Sequence, residues 1–404
     1  MAGPTTDRGY RSVYTAVQEE NILVRVLGDR IVQLQPDVTP LLVMTTNAKR
    51  KKATPTPRIE RIEDDLRTLW DQNQGAALGP GATTISVANS NIFAYGDLVA
   101  VLSPGTTTTV NASPSYELLR VTTASGNVIT VTRGVGGSSA TIAASSSLRI
   151  VGSAFQEGDN YGIFRSTEKT VVISYCQIFR TPVQITRSMQ ATRTYGEQDY
   201  QYQKAKALME HKKEIEAVGL WGKASESLAQ PTTLWTSMGT RSRIQTNVQD
   251  FLTTATLTEF NAFSELAFRY GSPAKLLIAA PRVISAINFY SQNKLLTEVG
   301  QTVFGVNIRR LTLPHGEYML ARNWLMEQGV AGAVGFQAEC YSIDLNNIEF
   351  CYLADQGETR DTQYRENVVQ TGVDAEQDEW YTQAGWMITQ EKVHALGYDI
   401  SSYA

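Results

Sequence analysis

Residues 168–219 read EKTVVISYCQIFRTPVQITRSMQATRTYGEQDYQYQKAKALMEHKKEIEAVG, and within this run the chain changes its period. The first part is extended: β-branched and aromatic residues dominate, and Pro182 forbids a continuous helix. From residue 196 to residue 219 the spacing becomes helical. Glu197 and Asp199 stand in the first turn, where acidic groups favour the helix dipole. Ala205, Leu208, Met209, Ile215 and Val218 form the apolar stripe expected to pack, and the other face is charged and wet. At about 1.5 Å per residue the helix spans roughly 35 Å, long enough to act as a spine.

Upstream of this run, residues 75–152 are a separate unit by composition. They are rich in Gly, Thr, Ser, Ala and Val, and only Asp97, Glu117, Arg120, Arg133 and Arg149 are charged. TTISVANS, YGDLVAVLS, YELLRVTTA, NVITVTRG and SSLRIVG are short β-rich runs, bounded by turns such as Tyr95-Gly96-Asp97 and Ser125-Gly126-Asn127. Five or so such strands predict a small β-barrel or sandwich. Before that unit, residues 41–66 are again extended, with Pro55 and Pro57 excluding a continuous helix. Arg58, Glu60, Arg61, Glu63, Asp64 and Asp65 alternate in sign there. Two extended stretches thus flank the β-rich unit, which makes it an insertion at the tip of a long hairpin, where insertions are best tolerated. Residues 1–48 read as an arm with a short helix in ILVRVLGDRIVQL, residues 22–34.

Downstream of the long helix, LTEFNAFSELAFRYG has helical spacing and stops at Gly271. SPAKLLIAA reads as a buried strand, and PRVISAINFYS as a helix with Pro281 in its first turn. Residues 336–404 carry the short strands CYSID, IEFCYL and WMITQEKVHAL, for which two-strand hairpins and a solvated loop are expected. The fold class is α+β.

With 42% hydrophobic and 19% charged residues in 404, the chain has the composition of a folded protein of two or three units. A formal net charge of -4 supplies no excess of cations for gripping a phosphate backbone. The basic run Lys49, Arg50, Lys51 and Lys52 reads as solvated loop. Cys176, Cys340 and Cys351 sit in apolar stretches and read as reduced core thiols. No leader pattern opens the sequence and no apolar run approaches the roughly 18 residues of a membrane helix, so the expectation is a protein that stays in the cytosol that makes it.

No motif in the sequence completes a chemical site. His211, His315 and His394 are isolated, so no zinc site is expected. The glycine-rich run from Arg133 to Ser139 lacks the last glycine of a dinucleotide fingerprint and reads as a turn. Gly222 and Lys223 are followed by Ala224, where a phosphate loop needs Ser or Thr. Asp374, Glu376, Asp378 and Glu379 suggest calcium, but Glu379 stands where the loop glycine belongs and Gly385 where the closing acid belongs, so solvated loop is expected. No catalytic, metal or cofactor-binding residue is expected.

The order of parts resembles the major capsid proteins of tailed bacteriophages, whose HK-ninety-seven-type fold is shared with encapsulins. The resemblance is to the branch with a β-rich insertion in the extended loop. It rests on TTISVANSNIFAYGDLVAVLS and ELLRVTTASGNVITVTRGVGGSSA in the insertion and on AKALMEHKKEIEAVGLWGK in the spine helix. LTEFNAFSELAFRYGSPAKLLIAAPRVISAI matches the axial domain, and WMITQEKVHALGYDI the closing strand and turn. The resemblance implies an N-terminal arm at 1–48, an E-loop at 49–74 and 153–190, and the inserted domain at 75–152. The peripheral P-domain with its spine helix falls at 191–245, the axial A-domain at 246–335, and the return at 336–404.

The same resemblance implies a shell of hexamers and pentamers, icosahedral or prolate, around double-stranded DNA contacted non-specifically, in a virion assembled in the bacterial cytoplasm. Partners would be many copies of the chain, a separate scaffolding protein, a portal and a possible decoration protein, and no membrane. Arg58, Glu60, Arg61, Glu63 and Asp65 are expected to pair with an adjacent subunit and set register more than affinity. The insertion contains no lysine, so crosslinking through Lys and Asn side chains has no support there. Gly196 and the loop from Gly222 to Gly239 are candidate hinges. Three other readings compete: an encapsulin-like compartment, a soluble α/β enzyme built around Lys275 to Ile287, and a decoration or adhesion protein. The insertion, the lack of a convergent polar site and the long helix, respectively, argue against them.

Overall fold

The computed structural model describes residues 39–103, 115–159, 166–192, 199–227, 233–294, 297–303, 306–327, 335–355, 357–368 and 372–403. The arm helix expected at 22–34 and the candidate hinge Gly196 lie outside these residues. The chain divides into two compact units, one of residues 62–171 and one of the chain on either side of it.

The unit of residues 62–171 is a six-stranded antiparallel sheet. Its order is Trp70–Gln72, Ser147–Ser153, Asp97–Ser103, Ser115–Ser125, Val128–Thr132 and Thr84–Ser86. A bridge between Asn73 and Val87 joins the two outer strands, so the sheet closes into a barrel. Alternate residues point inward, and Ile85, Val99, Val101, Leu119, Val121, Ile129, Val131, Leu148 and Ile150 fill it. The turn at Gly126 and Asn127 has φ of +59° and +61°, the paired left-handed conformation that matches the twist of a two-residue hairpin. The unit is wider than the 75–152 stretch read from composition, because Trp70–Gln72 pairs into the barrel without carrying the Gly/Thr/Ser bias.

The other unit is built around two large sheets, beside the small hairpin of Ser225–Ser227 with Leu234–Thr236. The first runs Lys51–Thr54, Ile348–Asp355, Ala375–Ile388, Gln177–Thr186, with Glu358–Thr359 and Gln363–Arg365 attached to its middle strands. Lys51–Thr54 joins parallel to Ile348–Asp355, so an early segment completes a sheet made largely by the end of the chain. The second is seven-stranded, in the order Val248–Ala255, Ala395–Tyr403, Cys340–Ile343, Ala274–Ala279, Gly316–Arg322, Val306–Leu313, Thr297–Val303. The four longest described helices are α1 (Pro40–Asn47), α2 (Asp199–Trp221), α3 (Leu257–Phe268) and α4 (Pro281–Lys294). Thr256 and Glu259 close a reciprocal capping box on α3, and α4 starts at Pro281.

The tail differs from the hairpins and loop expected for 336–404. Its strands are divided between sheets: Ile348–Asp355 and Ala375–Ile388 enter the first, Cys340–Ile343 and Ala395–Tyr403 the second. The run WMITQEKVHAL is broken by a 3-10 turn at Glu391–Val393, entered through Gln390 at φ +51°.

Gly222 and Gly239 differ from the hinge reading. A Cβ on Gly239 would lie 2.3 Å from the backbone nitrogen of Gly222, and one on Gly222 would lie 2.5 Å from the carbonyl oxygen of Val218. These glycines let two backbone segments touch, so the contact fixes the end of α2.

Candidate assembly surfaces

α2 packs on the first sheet through residues that hydrophobicity alone would not choose. Ala207, His211, Ile215 and Gly219, spaced by four, are buried, with Tyr200, Glu216 and Leu220 beside them. Of the expected stripe, Ile215 is buried, Leu208, Met209 and Val218 are half-buried, and Ala205 is exposed. The stripe is shifted because the sheet and α1 supply hydrogen-bond partners for polar groups. His211 lies between two hydroxyls, Nδ1 at 2.9 Å from Thr181 Oγ1 and Nε2 at 2.7 Å from Thr382 Oγ1. Burial pushes its pKa down to about 4.

Glu216 caps α1. Thr39 makes no side-chain cap, so the free amides of Leu41 and Leu42 donate instead to the two Glu216 carboxylate oxygens, each at 2.8 Å. Asn323 Nδ2 donates to the same carboxylate at 3.0 Å. Three distant parts of the chain therefore meet on one buried acid. Gly219 makes room for this packing: a Cβ there would stand 2.7 Å from the Trp386 ring and 3.0 Å from Leu41.

Three of the four acids that suggested calcium, Glu376, Asp378 and Glu379, lie in the strand Ala375–Ile388 and not in a solvated loop. Asp378 is 1% exposed and Glu379 3%. Lys204 Nζ is 2.9 Å from Asp378, and the Tyr200 and Tyr364 hydroxyls and the Asn367 amide donate to it. Burial would raise the Asp378 carboxyl, but these donors together outweigh burial and hold it well below the usual carboxylate range. Arg180 and Arg365 pair with Glu379 at 2.6 and 3.3 Å. Asp374 lies on the surface 3.6 Å from Arg187, and Glu376 accepts from Gln190 at 2.5 Å. Among the described residues no three metal-binding side chains converge.

The remaining polar candidates also serve the fold. Arg50 donates to Asn346 at 2.9 Å, Lys51 pairs with Asp361 at 2.5 Å, and Lys52 pairs with Glu349, so most of the basic run holds its own chain instead of lying free. Buried Lys275 donates to the carbonyls of Ala267, Tyr270 and Val393 at 2.5, 2.8 and 2.5 Å. Its ammonium is engaged at the C-terminal end of α3, and burial brings its pKa down to about 8. Cys176, Cys340 and Cys351 are buried free thiols, pushed up by burial to about 12, 12 and 11. The glycine-rich loop from Arg133 does form an anion seat, but the anion is internal. Glu117 accepts from the amides of Gly134 and Ala140 at 2.9 Å and from Arg133 Nε at 2.8 Å.

The five charged residues of the hairpin fall into different environments. Arg58 and Glu60 pair with each other at 2.7 Å, both half-exposed. Arg61 turns back onto Glu349 of its own chain at 2.8 Å, beside Lys52. Glu63 is half-buried and Asp65 exposed. The sequence pattern does not single out their apolar neighbours, yet Ile62 is 70% exposed, Leu66 98% and Val171 54%. Alternation of charge drew attention away from them, although large apolar side chains in water are the stronger sign of an unmet surface.

No curated protein matches the chain in sequence. Among solved structures it is similar to the cyanophage A-1(L) capsid, 10% identical over 96% of this chain and 99% of that one, with a TM-score of 0.48. It is similar also to a chain of Gordonia phage Cozz, 10% identical over 100% and 98%, TM-score 0.45. The SrpI encapsulin complex of Synechococcus elongatus gives 7% identity over 59% and 80%, TM-score 0.39. The family model of the SU10 major capsid protein matches residues 9–401, nearly the whole sequence, and the chain belongs to that family.

Proposed function

We propose that this capsid protein forms hexamers and pentamers of an icosahedral or prolate head around double-stranded DNA. Assembly would take place in the bacterial cytoplasm with a separate scaffolding protein and a portal, and with an optional decoration protein. In this reading residues 49–74 and 153–190 are the E-loop, 75–152 the inserted domain, 191–245 the P-domain and 246–335 the A-domain, with 336–404 returning through both. The carrying observation is the exposure of Ile62, Leu66 and Val171. The strands Arg58–Glu63 and Thr170–Tyr175 pair as a two-stranded ribbon. Such a ribbon cannot bury both faces on its own, and Ile62 and Val171 on it, with Leu66 just beyond, supply a surface that a neighbouring copy would cover.

Charge at the ribbon would then set register, with Arg58, Glu60, Glu63 and Asp65 facing the neighbour. Arg61 would act indirectly, by holding the ribbon's root on Glu349. The test separates folding from assembly. Ile62→Ser with Leu66→Ser should leave the thermal midpoint of the unassembled chain within about 2 °C, because exposed residues contribute little to it. The same variant should yield no closed shells by negative-stain microscopy when co-expressed with its neighbouring genes. Normal shells from this variant would remove the E-loop reading.

A further inference from the structure

The edge strand Val248–Ala255 runs parallel to Ala395–Tyr403, and its ladder is interrupted twice. Val248, Gln249 and Asp250 face Leu396, Gly397 and Tyr398. Pairing resumes with Thr253 on Ile400, then Thr254 on Ser402 and Ala255 on Tyr403. The edge strand has one residue too many after Asp250, and the inner strand one too many after Ile400. The two irregularities cancel, so the register beyond them equals the register before. Correcting register is therefore not what the bulge accomplishes.

What it accomplishes is the presentation of Leu252. This residue has φ +48°, a conformation that bulky L side chains rarely adopt, and it is 72% exposed while Phe251 beside it is 1% exposed. Asp399, in the gap across the ladder, is also left-handed at φ +62°, but aspartate tolerates that region and leucine does not. The distortion is braced. Asp250 Oδ1 accepts the Leu252 amide at 2.9 Å, and Asp250 Oδ2 accepts the Tyr398 hydroxyl at 3.0 Å. Gln249 Nε2 donates to the Asp250 carbonyl at 2.9 Å. A bulge serving only to keep the edge from pairing would be better made with glycine, asparagine or a charged residue.

We propose that Leu252 is an anchor that inserts into an apolar pocket on a second copy of this chain. The inference rests on the assembly reading above, since a chain that builds a shell from its own copies presents this edge chiefly to another copy. A strained, braced, solvent-facing leucine is a feature whose local penalty an interface offsets.

Three full-length proteins test this: the parent, Leu252→Gly and Leu252→Met. Glycine relieves the left-handed backbone, so the thermal midpoint of unassembled Leu252→Gly should rise by about 1–3 °C. Its self-association, followed by sedimentation over a concentration series, should weaken at least about tenfold. Leu252→Met keeps the apolar knob and should associate within about threefold of the parent. A Leu252→Gly protein that associates like the parent would overturn the anchor while leaving the capsid reading intact. A parent that never associates would remove both.

Discussion

The carboxylate of Glu216 and the amide of Leu41 meet at 2.8 Å, 175 residues apart in sequence, and through them the first described helix is held on the longest one. A helix of eight residues is marginal by itself, and α1 has no side-chain cap of its own. Its position depends on a borrowed acid. Glu216→Gln keeps the size but removes the charge facing the helix dipole, and it should destabilise the unassembled chain by about 1–2 kcal/mol. Glu216→Ala should cost about 3 kcal/mol, since it also leaves Asn323 and two amides without this acceptor. Hydrogen exchange should localise the effect: amides of residues 41–48 lose protection first. Uniform loss across the chain would show that α1 is not latched separately.

Much of this architecture was legible because it rests on local rules. The barrel announced itself through strand-length runs between turn residues, and α3, Ala274–Ala279 and α4 follow from helical spacing, a continuous apolar run and Pro281. What could not be read was polar burial. Glu216, His211, Asp378 and Lys275 carry the signature of surface residues, and each is buried because a partner far away in sequence satisfies it. Single-sequence periodicity ranks side chains by their own hydropathy and has no access to such partners. Hence the expected α2 stripe included the exposed Ala205 and missed His211 and Glu216. Asp378 and Glu379 were placed in a loop for the same reason. Leu252 was invisible for another: a compensated pair of bulges leaves no trace in composition.

Within the barrel, Glu117 and Arg133 are almost fully buried and pair at 2.6 Å. Burial would raise the Glu117 carboxyl, but Arg133 and the amides of Ala140 and Gly134 outweigh it and lower the pKa. Removing one partner strands the other charge. Glu117→Gln or Arg133→Met alone should destabilise by about 3–5 kcal/mol. The double variant should cost less than the sum of the singles, with a coupling of about 1–3 kcal/mol. Urea melts followed through Trp70 as the retained fluorophore, with the other tryptophans replaced, would report this unit. Strict additivity would show that the loop is held by its turn geometry and not by the buried acid.

Acid should destabilise the unassembled chain before its carboxylates titrate. His394 is buried and neutral: its Nδ1 accepts the Asp344 amide at 3.2 Å, and Nε2 donates to the Thr389 carbonyl at 3.1 Å. Burial pushes both His394 and His211 down to about 4, against about 6.5 in the unfolded chain. Between those values the unfolded state binds protons that the folded state refuses, so stability falls as pH falls from 6.5 to 4. A shift of that size corresponds to about 3 kcal/mol for each histidine. Below pH 4 a second loss begins. There the unfolded chain's Glu349 and Asp378 carboxyls take up protons that the folded ones refuse, because Lys52 and Arg61 hold Glu349 low, and Lys204 with its neighbouring donors holds Asp378 low, against the opposing effect of burial. Urea midpoints measured from pH 7.5 to 4.5 should therefore decline across the upper window, and His394→Asn, which retains an acceptor near the Asp344 amide, should remove about half of the slope. A flat profile to pH 4.5 would mean that the two imidazoles take up protons in the folded state, with the Thr181 and Thr382 hydroxyls and the Asp344 amide rearranging around them.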